Sequence, residues 1–327
     1  MPKTAFVTGG TGFLGLNLVK QLTEQGWKVT AMHRPSSDLR YLKRFSPNLV
    51  ISSLDDEASL AAAMPKDVDA VFHVAGDTNF WRKRNPRQTQ TNVDGTRHLV
   101  NAAVQQHAKC FVHTSSISAW GIMPAGEITE ATPLKGKDSW LNYERTKHLG
   151  ELEALKARTE GMKVVVINPG SIVGPYDQNT WARLFFALRD GKLPFAMPGD
   201  NCFVHVDQVV KAHIEAVDKG ADGERYIVAG TPASLEDLTR EAAQLVGVKA
   251  PGPAPVLLMK VVAHLGTAVG NLTNNEPLVT PELVNMMSRK GGIFCSDKAK
   301  AAFDLQDIPL KQCVQDNYDW LKTEGLL

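Results

Sequence analysis

Three polar side chains in this chain have the types and spacing for proton transfer to a carbonyl oxygen. Tyr143 and Lys147 lie four positions apart in Asn142-Tyr143-Glu144-Arg145-Thr146-Lys147-His148. On a helix that spacing puts both on one face, one turn apart. A free tyrosine has a pKa of about 10, and a neighbouring ammonium stabilises the phenolate and lowers that value. Tyr143 can then exchange a proton with a carbonyl or alkoxide oxygen. Ser116 closes the run Val112-His113-Thr114-Ser115-Ser116 and can donate a hydrogen bond to the same oxygen. A Tyr-x-x-x-Lys pair alone also fits any surface helix. It gains weight from its order with the features that follow.

The first of these is a glycine-rich turn. A strand-like run ends in Thr8-Gly9-Gly10-Thr11-Gly12-Phe13-Leu14-Gly15, and an apolar helix pattern follows at once. Glycines there allow a tight turn, backbone approach to a pyrophosphate and close packing of helix on strand. The amides of Gly9, Thr11, Gly12, Phe13, Leu14 and Gly15 are the candidate phosphate contacts, helped by the helix dipole. A plain strand–helix turn is the alternative, but position after the first strand favours a dinucleotide.

The end of the second strand should choose between dinucleotides. NAD wants an acidic residue there, about 20 residues on, to hold the ribose, whereas an arginine accommodates the NADP phosphate. The local sequence is Met32-His33-Arg34-Pro35-Ser36-Ser37, with no carboxylate before Asp38. Arg34, with the hydroxyls of Ser36 and Ser37, therefore favours NADP, NAD being the weaker expectation and a solvated Arg34 the alternative.

These residues need a scaffold that brings strand ends together. Strands are expected at Thr4–Thr8, Lys28–Met32, Leu49–Ser52, Ala70–Ala75, Cys110–Thr114 and Val164–Asn168. Helices are expected near Phe13–Gln25, Leu39–Phe45, Glu57–Ala63, Pro86–Gln106 and Ser139–Thr159. Regular alternation implies right-handed crossovers and a parallel sheet covered by helices on both faces, and the nearly all-apolar strands agree. After Pro169 the rhythm lengthens and Gly and Pro become frequent. The expected architecture is α/β: a Rossmann-type doubly wound domain over 1–168, then a smaller, mostly helical substrate region over 169–327 that may interleave with it. Asp207 is expected to cap a helix to Val217, a further helix to follow Thr231–Leu235, and 310–327 to close as an amphipathic helix.

Composition narrows the function. With 36 Lys+Arg against 35 Asp+Glu, no basic excess speaks for nucleic acid. Cys110, Cys202, Cys295 and Cys313 form no CxxC pair, so neither a zinc knuckle nor a dithiol motif is suggested, and scattered thiols suit a reducing, cytoplasmic compartment. The N-terminus has no signal-peptide pattern. The longest apolar stretch, Pro255 to Gly270, is interrupted by Lys260 and His264. It reads as a core or substrate-side helix too short and polar to span a bilayer, so no membrane partner is expected.

With these motifs in order, the sequence resembles the extended short-chain dehydrogenase/reductases of the NAD-dependent epimerase/dehydratase superfamily over essentially its whole length. Within that group it looks most like dihydroflavonol-4-reductase-type enzymes. The resemblance rests on the glycine turn, Val71-Phe72-His73-Val74-Ala75-Gly76, Asn92-Val93-Asp94-Gly95-Thr96, Tyr143 with Lys147, Asn168-Pro169-Gly170-Ser171-Ile172-Val173-Gly174-Pro175, Phe203-Val204-His205-Val206-Asp207 and the tail Ser296-Asp297-Lys298-Ala299 with Trp320-Leu321. It implies Tyr143 as proton donor, Ser116 as carbonyl polariser, and Lys147 on the nicotinamide ribose. It also implies cofactor contacts from Thr114, Ala75, Gly76 and Pro169, Gly170, Ser171 and Ile172, and a structural role for His205 and Asp207, which lack a third metal ligand. No metal is expected.

Three departures qualify it. Relatives carry Gly-Asp-Leu after the third strand where this chain has Ser52-Ser53-Leu54, so adenine contact at Ser53 and Leu54 is weakened or rebuilt. Relatives often have Arg-Pro where this chain has Asn168-Pro169. Sugar-nucleotide dehydratases carry Thr-Asp-Glu where this chain has Thr114-Ser115-Ser116, which leaves water elimination without its acid and base.

For the substrate side, Phe80, Trp81, Trp120, Met123, Tyr176 and Trp181 follow the relevant strand ends, and an aromatic lining suits an apolar ligand. Phe185 and His73 read better as core, and Asn92 as a helix cap or water-holding residue. The run Arg82-Lys83-Arg84 with Arg87 could hold an anionic tail but more simply is a solvated loop. The expected function is reversible, NADPH-dependent reduction of a ketone or aldehyde on an apolar or aromatic small molecule. The alternatives are an NAD-dependent sugar-nucleotide epimerase and a non-catalytic NAD(P) sensor. The helices near 86–106 and 139–159 are candidates to pair across a two-fold in a homodimer.

Overall fold

The computed structural model describes residues 1–122, 126–277, 279–289 and 292–327. Among the described residues twelve strands occur in chain order: β1 Thr4–Thr8, β2 Lys28–His33, β3 Asn48–Ile51, β4 Ala70–His73, β5 Cys110–Thr114, β6 Gly126–Ile128, β7 Lys163–Pro169, β8 Ser171–Val173, β9 Asp200–His205, β10 Arg225–Val228, β11 Thr231–Ser234 and β12 Gly292–Phe294. The helices are α1 Phe13–Glu24, α2 Glu57–Ala63, α3 Asn85–Thr89, α4 Gly95–Gln105, α5 Asn142–Leu155, α6 Ala182–Arg189, α7 Val206–Lys219, α8 Leu235–Val246, α9 Val256–Thr273, α10 Pro281–Met287, α11 Asp297–Phe303 and α12 Leu310–Thr323.

Seven strands form one sheet in the order β10-β7-β5-β4-β1-β2-β3. Every pairing in it is parallel. The order reverses beside β1, so the carboxyl ends of β1 and β4 part there and open the crevice where α/β sheets take ligands. Phe6, Val7, Phe72, Phe111 and Val165 have no exposed surface, which explains the continuous apolar strands. One core lies under α1 and α7 and the other under α2, α4 and α5. The expected Rossmann-type sheet with helices on both faces is therefore the architecture found.

Residues beyond 169 return to this sheet: β10 pairs with β7, Val228 opposite Pro169. Residues 225–228 so belong to the larger sheet although they follow the 168/169 boundary. The smaller region has its own three-stranded sheet, β11-β9-β8, and a core of α6, α8 and α12 side chains around Phe185 and Phe203.

Several local expectations need correction. The helix expected over 86–106 is broken into α3, a π-helical turn over Gln90–Asp94, and α4. Leu39–Phe45 forms only a short 3-10 turn from Leu42, closed by left-handed Ser46 (φ 53°). The cap of α7 is His205, whose Nδ1 accepts the Asp207 N–H at 3.1 Å, so Asp207 sits in the first turn instead. Thr231–Ser234 is a strand before it is a helix entrance. Ser234 and Asp237 then form a reciprocal capping box on α8. The Pro255–Gly270 stretch is a helix, but a surface one and not a core one: of its side chains only Ala263 and Gly270 are buried.

Candidate active site

Tyr143 and Lys147 lie in the first two turns of α5, and Ser116 follows β5. Parallel pairing of β5 with β4 and β7 sets the end of β5 beside that helix. The Ser116 hydroxyl stands beside the Tyr143 hydroxyl, close enough to lower its pKa. Ser116 Oγ accepts the Ser118 N–H at 3.1 Å, which leaves its one proton free for another acceptor. Lys147 Nζ donates to the Thr114 carbonyl at 3.1 Å, fixing the ammonium beneath the same strand end. The three residues read from spacing thus meet.

The electrostatics differ from expectation. Tyr143 has its pKa raised, because burial of the hydroxyl outweighs the lowering influence of Ser116. Lys147 is not the dominant influence on it; burial instead pushes the lysine down to about 8, against the raising influence of Glu151. The protein's own groups therefore keep Tyr143 protonated, the form that carbonyl reduction consumes.

The glycine turn fits a dinucleotide. Gly9 has φ +72°, and a Cβ there would sit 2.6 Å from the Ala75 amide nitrogen. A Cβ at Gly15 would strike the Gly9 carbonyl. No side chain caps α1 and its first turn carries no acid, so its amides and the positive end of its dipole are open to an anion. Thr11 and Phe13 are half-buried and Gly12 is exposed, while the Leu14 side chain is core. Ala75 and Gly76 follow β4 beside this turn, and a Cβ on Gly76 would lie 3.4 Å from Lys147 Nζ. Gly170 is wedged between strands, a Cβ there lying 2.6 Å from the Ala229 carbonyl oxygen, which holds Pro169, Ser171 and Ile172 at the end of β7 and start of β8.

Other cofactor candidates take narrower roles. The Thr114 hydroxyl is committed to His213 Nε2 at 2.7 Å, so only its carbonyl serves the site, through Lys147. Arg34 is exposed in a turn closed by its own N–H to Ser37 Oγ at 3.1 Å, and makes no ion pair among the described residues. Ser53 Oγ accepts the Asp55 N–H at 3.3 Å. Leu54 is buried with its side chain against Gly95, and its carbonyl is taken by His98 Nδ1 at 2.8 Å.

The aromatic candidates separate. Phe80 stacks edge-on against Tyr143, ring centroids 5.2 Å apart, and with Trp140, Asn142, Arg82 and Glu282 it lines a narrow cleft of about 10 Å³ at the tyrosine. Trp120 is fully buried against Phe294, its Nε1 donating to the Thr132 carbonyl, so it is core and not pocket. Trp181 packs on Phe203 inside the smaller region. Tyr176 joins Tyr41, Phe45 and Trp320 in an aromatic cluster on the α1 side. Trp81 is buried and donates from Nε1 to Asn271 of α9 at 3.0 Å, tying the loop down without lining the cleft. Phe185 is core, as expected. Met123 lies outside the described residues.

The basic run is a set of clasps. Arg82 pairs with Glu282, Arg84 with Glu276 and Arg87 with Asp77. His73 is a satisfied core residue between Thr8 and Thr96, and burial pushes it down to about 3. His205 links its own helix start to Asp316 of α12 at 3.2 Å.

Two positioning sets escaped the sequence. Asn92, in the π-helical turn and not at a cap, accepts the Asp77 N–H at 2.7 Å and donates to the Asp77 carbonyl and to Thr146 of α5. Asn168, where relatives have arginine, donates to the Ser116 carbonyl and to buried Glu151, whose other oxygen takes Arg225 from β10 at 2.6 Å. The cation thus comes from a strand 57 positions downstream. The unusual Asn-Pro pair was the only local signal.

A profile of the NAD dependent epimerase/dehydratase family matches residues 5–229. "Sterol demethylase protein B" of Methylococcus capsulatus is 33% identical, with 99% of this chain and 100% of that protein covered. A "putative dihydroflavonol 4-reductase" of a Synechocystis species is 29% identical, covering 98% and 95%. The crystal structure of gox2253 superposes with a TM-score of 0.84 at 30% identity, 99% of each chain being covered. With the profile covering 225 of the 327 residues and a relative 33% identical over its whole length, the chain belongs to the NAD dependent epimerase/dehydratase family, within the extended short-chain dehydrogenase/reductases, and is an NAD(P)-dependent oxidoreductase.

Proposed function

We propose that this enzyme uses NADPH to reduce a ketone or aldehyde on an apolar or aromatic small molecule. The observation that carries the proposal is a buried tyrosine, kept protonated, with Ser116 beside it and Lys147 one turn on along the same helix. Bound at the glycine turn, the cofactor would supply hydride to the carbonyl carbon. Tyr143 gives its proton to the carbonyl oxygen as negative charge develops there. Ser116 donates a hydrogen bond to the same oxygen, and the Lys147 cation stabilises the tyrosinate left behind. Thr114-Ser115-Ser116 supplies no carboxylate for dehydration. The Phe80 ring against Tyr143 offers an aromatic contact for the substrate, and the dihydroflavonol reductase-like relative points the same way.

Arg34 supports NADP over NAD, since it is exposed, makes no ion pair among the described residues and stands where a ribose carboxylate is missing. Four cysteines without a disulfide suit a reducing cytoplasm, and two copies pairing across α4 and α5 would give a homodimer. The test is loss of nicotinamide absorbance with a panel of aromatic and aliphatic carbonyls, using NADPH and NADH in parallel. Arg34→Ala should weaken NADPH binding about tenfold and leave NADH within about twofold, as expected for one lost charge-assisted contact to a phosphate. Equal loss for both cofactors defeats the NADP preference. Isomerisation of a nucleotide sugar without net cofactor turnover defeats the reductase.

A further inference from the structure

Helix α9 is apolar on the wrong side. Leu257, Leu258, Val261, Val262, Leu265, Val269 and Leu272 are all exposed, from 43% for Leu258 to 88% for Leu272. At about 100° per residue these seven fall within roughly 140° of arc. The opposite face carries Ala263 and Gly270, which are buried against a body that includes α10. A helix seated on a globular domain normally buries its large apolar residues and shows polar ones. Here small residues face inward and a continuous leucine–valine stripe faces out. Such a patch marks a docking surface.

Its charge says what docks. No Asp or Glu occurs from 242 to 275, while Lys249, Lys260 and His264 do. Lys249 and Lys260 have no ion-pair partner among the described residues, and neither has Lys83 of the loop that α9 holds through Trp81 and Asn271. An apolar stripe whose own helix carries a lysine and no carboxylate, Glu276 beyond it being paired with Arg84, matches an anionic lipid surface. A second copy seated on the same face would bring these cations against their own images.

By length and composition alone the 18 residues would also cross a bilayer, with a mean hydropathy of 1.4. Both ends, however, are fastened to the same body. Before α9, the Ala254 N–H donates to Ala196; at its far end Asn271 accepts from Trp81, and beyond it Glu276 holds Asn79 and Arg84. The helix therefore lies along the surface. The loop it holds, 77–85, also carries Phe80 against Tyr143, so α9 adjoins the loop that packs on the catalytic tyrosine.

We propose that α9 is a monotopic docking helix that lays the mouth of the active site on an anionic bilayer, where an apolar substrate would be concentrated. This reverses the expectation of no membrane partner, and it is testable without turnover. Full-length protein is floated with vesicles of phosphatidylcholine containing phosphatidylglycerol, and with phosphatidylcholine alone. Expected is flotation with the anionic vesicles that weakens at high salt. It should fall about tenfold or more for Leu265→Glu/Val269→Glu, and severalfold for Lys260→Glu, from lost apolar insertion and lost headgroup attraction. Both variants change exposed or half-exposed positions, and their circular dichroism and NADPH binding should match wild type. Absence of flotation in wild type, or undiminished flotation of the double variant, overturns the proposal. So does a wild-type dimer in solution that the double variant dissolves, because the stripe then belongs to a second copy.

Discussion

Asn92 holds both backbone polar groups of Asp77, accepting its N–H at 2.7 Å and donating to its carbonyl at 2.9 Å. The same amide reaches Thr146, one residue before Lys147 on α5. One side chain thus fastens the start of the substrate loop to the catalytic helix. A π-helical turn makes this geometry available, because its extra residue displaces Asn92 from the regular face of the helix.

Removing that amide should loosen the loop more than the fold. Asn92→Ala leaves the Asp77 N–H without its partner, while the carbonyl keeps Gln88 at 3.1 Å, a cost of about 1–3 kcal/mol readable by urea denaturation. Because the loop carries Phe80, KM for a bulky carbonyl should rise about tenfold while the NADPH Kd stays within about threefold. Asn92→Asp keeps the acceptor for the Asp77 N–H and should recover part of the stability. A change confined to cofactor binding would assign Asn92 elsewhere.

Phe80 and Trp120 make a paired test of which aromatic side chain meets substrate. Trp120 has no exposed surface, so Trp120→Ala should cost about 3–5 kcal/mol of stability. KM of the enzyme that remains folded should change little. Phe80 is half-buried against Tyr143. Phe80→Ala should raise KM for aromatic carbonyls about tenfold with a much smaller fall in Tm. The opposite pattern would return Trp120 to the pocket.

Local chemistry was readable from the sequence; long-range packing was not. Tyr143, Lys147 and Ser116 could be placed because helix spacing and a strand end are local facts, and the glycine turn because its backbone demands no side chain. Trp120, Tyr176 and Trp181 follow strand ends in the same way. Whether each faces cleft or core depends on Phe294, Trp320 and Phe203, all distant in sequence. Arg225 reaching Glu151 is the same kind of contact. The α9 stretch was recognisably a helix, but apolarity does not say which face the fold will cover, and here it covers the small residues.

Lys147 is kept charged at a cost to stability. Burial pushes it from 10.5 down to about 8. Between those values the unfolded chain holds a proton that the native lysine has lost, so this group makes stability rise with pH there. Below about pH 8 the full penalty applies, about 3 kcal/mol by linkage. Lys147→Met should therefore be more stable than wild type at pH 7, by about 1–3 kcal/mol once the lost bond to Thr114 is allowed for. Wild type should close that gap by pH 10, while the variant loses about a hundredfold or more in turnover. Urea denaturation at the two pH values checks it, and a variant less stable at pH 7 would contradict it.

The central claim is that Tyr143 is the proton donor in an NADPH-dependent carbonyl reduction. Its most direct test is single-turnover oxidation of NADPH by wild type and Tyr143→Phe on one accepted carbonyl substrate, with NADPH binding measured beside it. The variant should bind NADPH within about threefold of wild type and reduce the carbonyl about 10²–10⁴-fold more slowly, the range for a positioned general acid. Reduction by Tyr143→Phe at a rate close to wild type, with cofactor binding intact, would contradict the account.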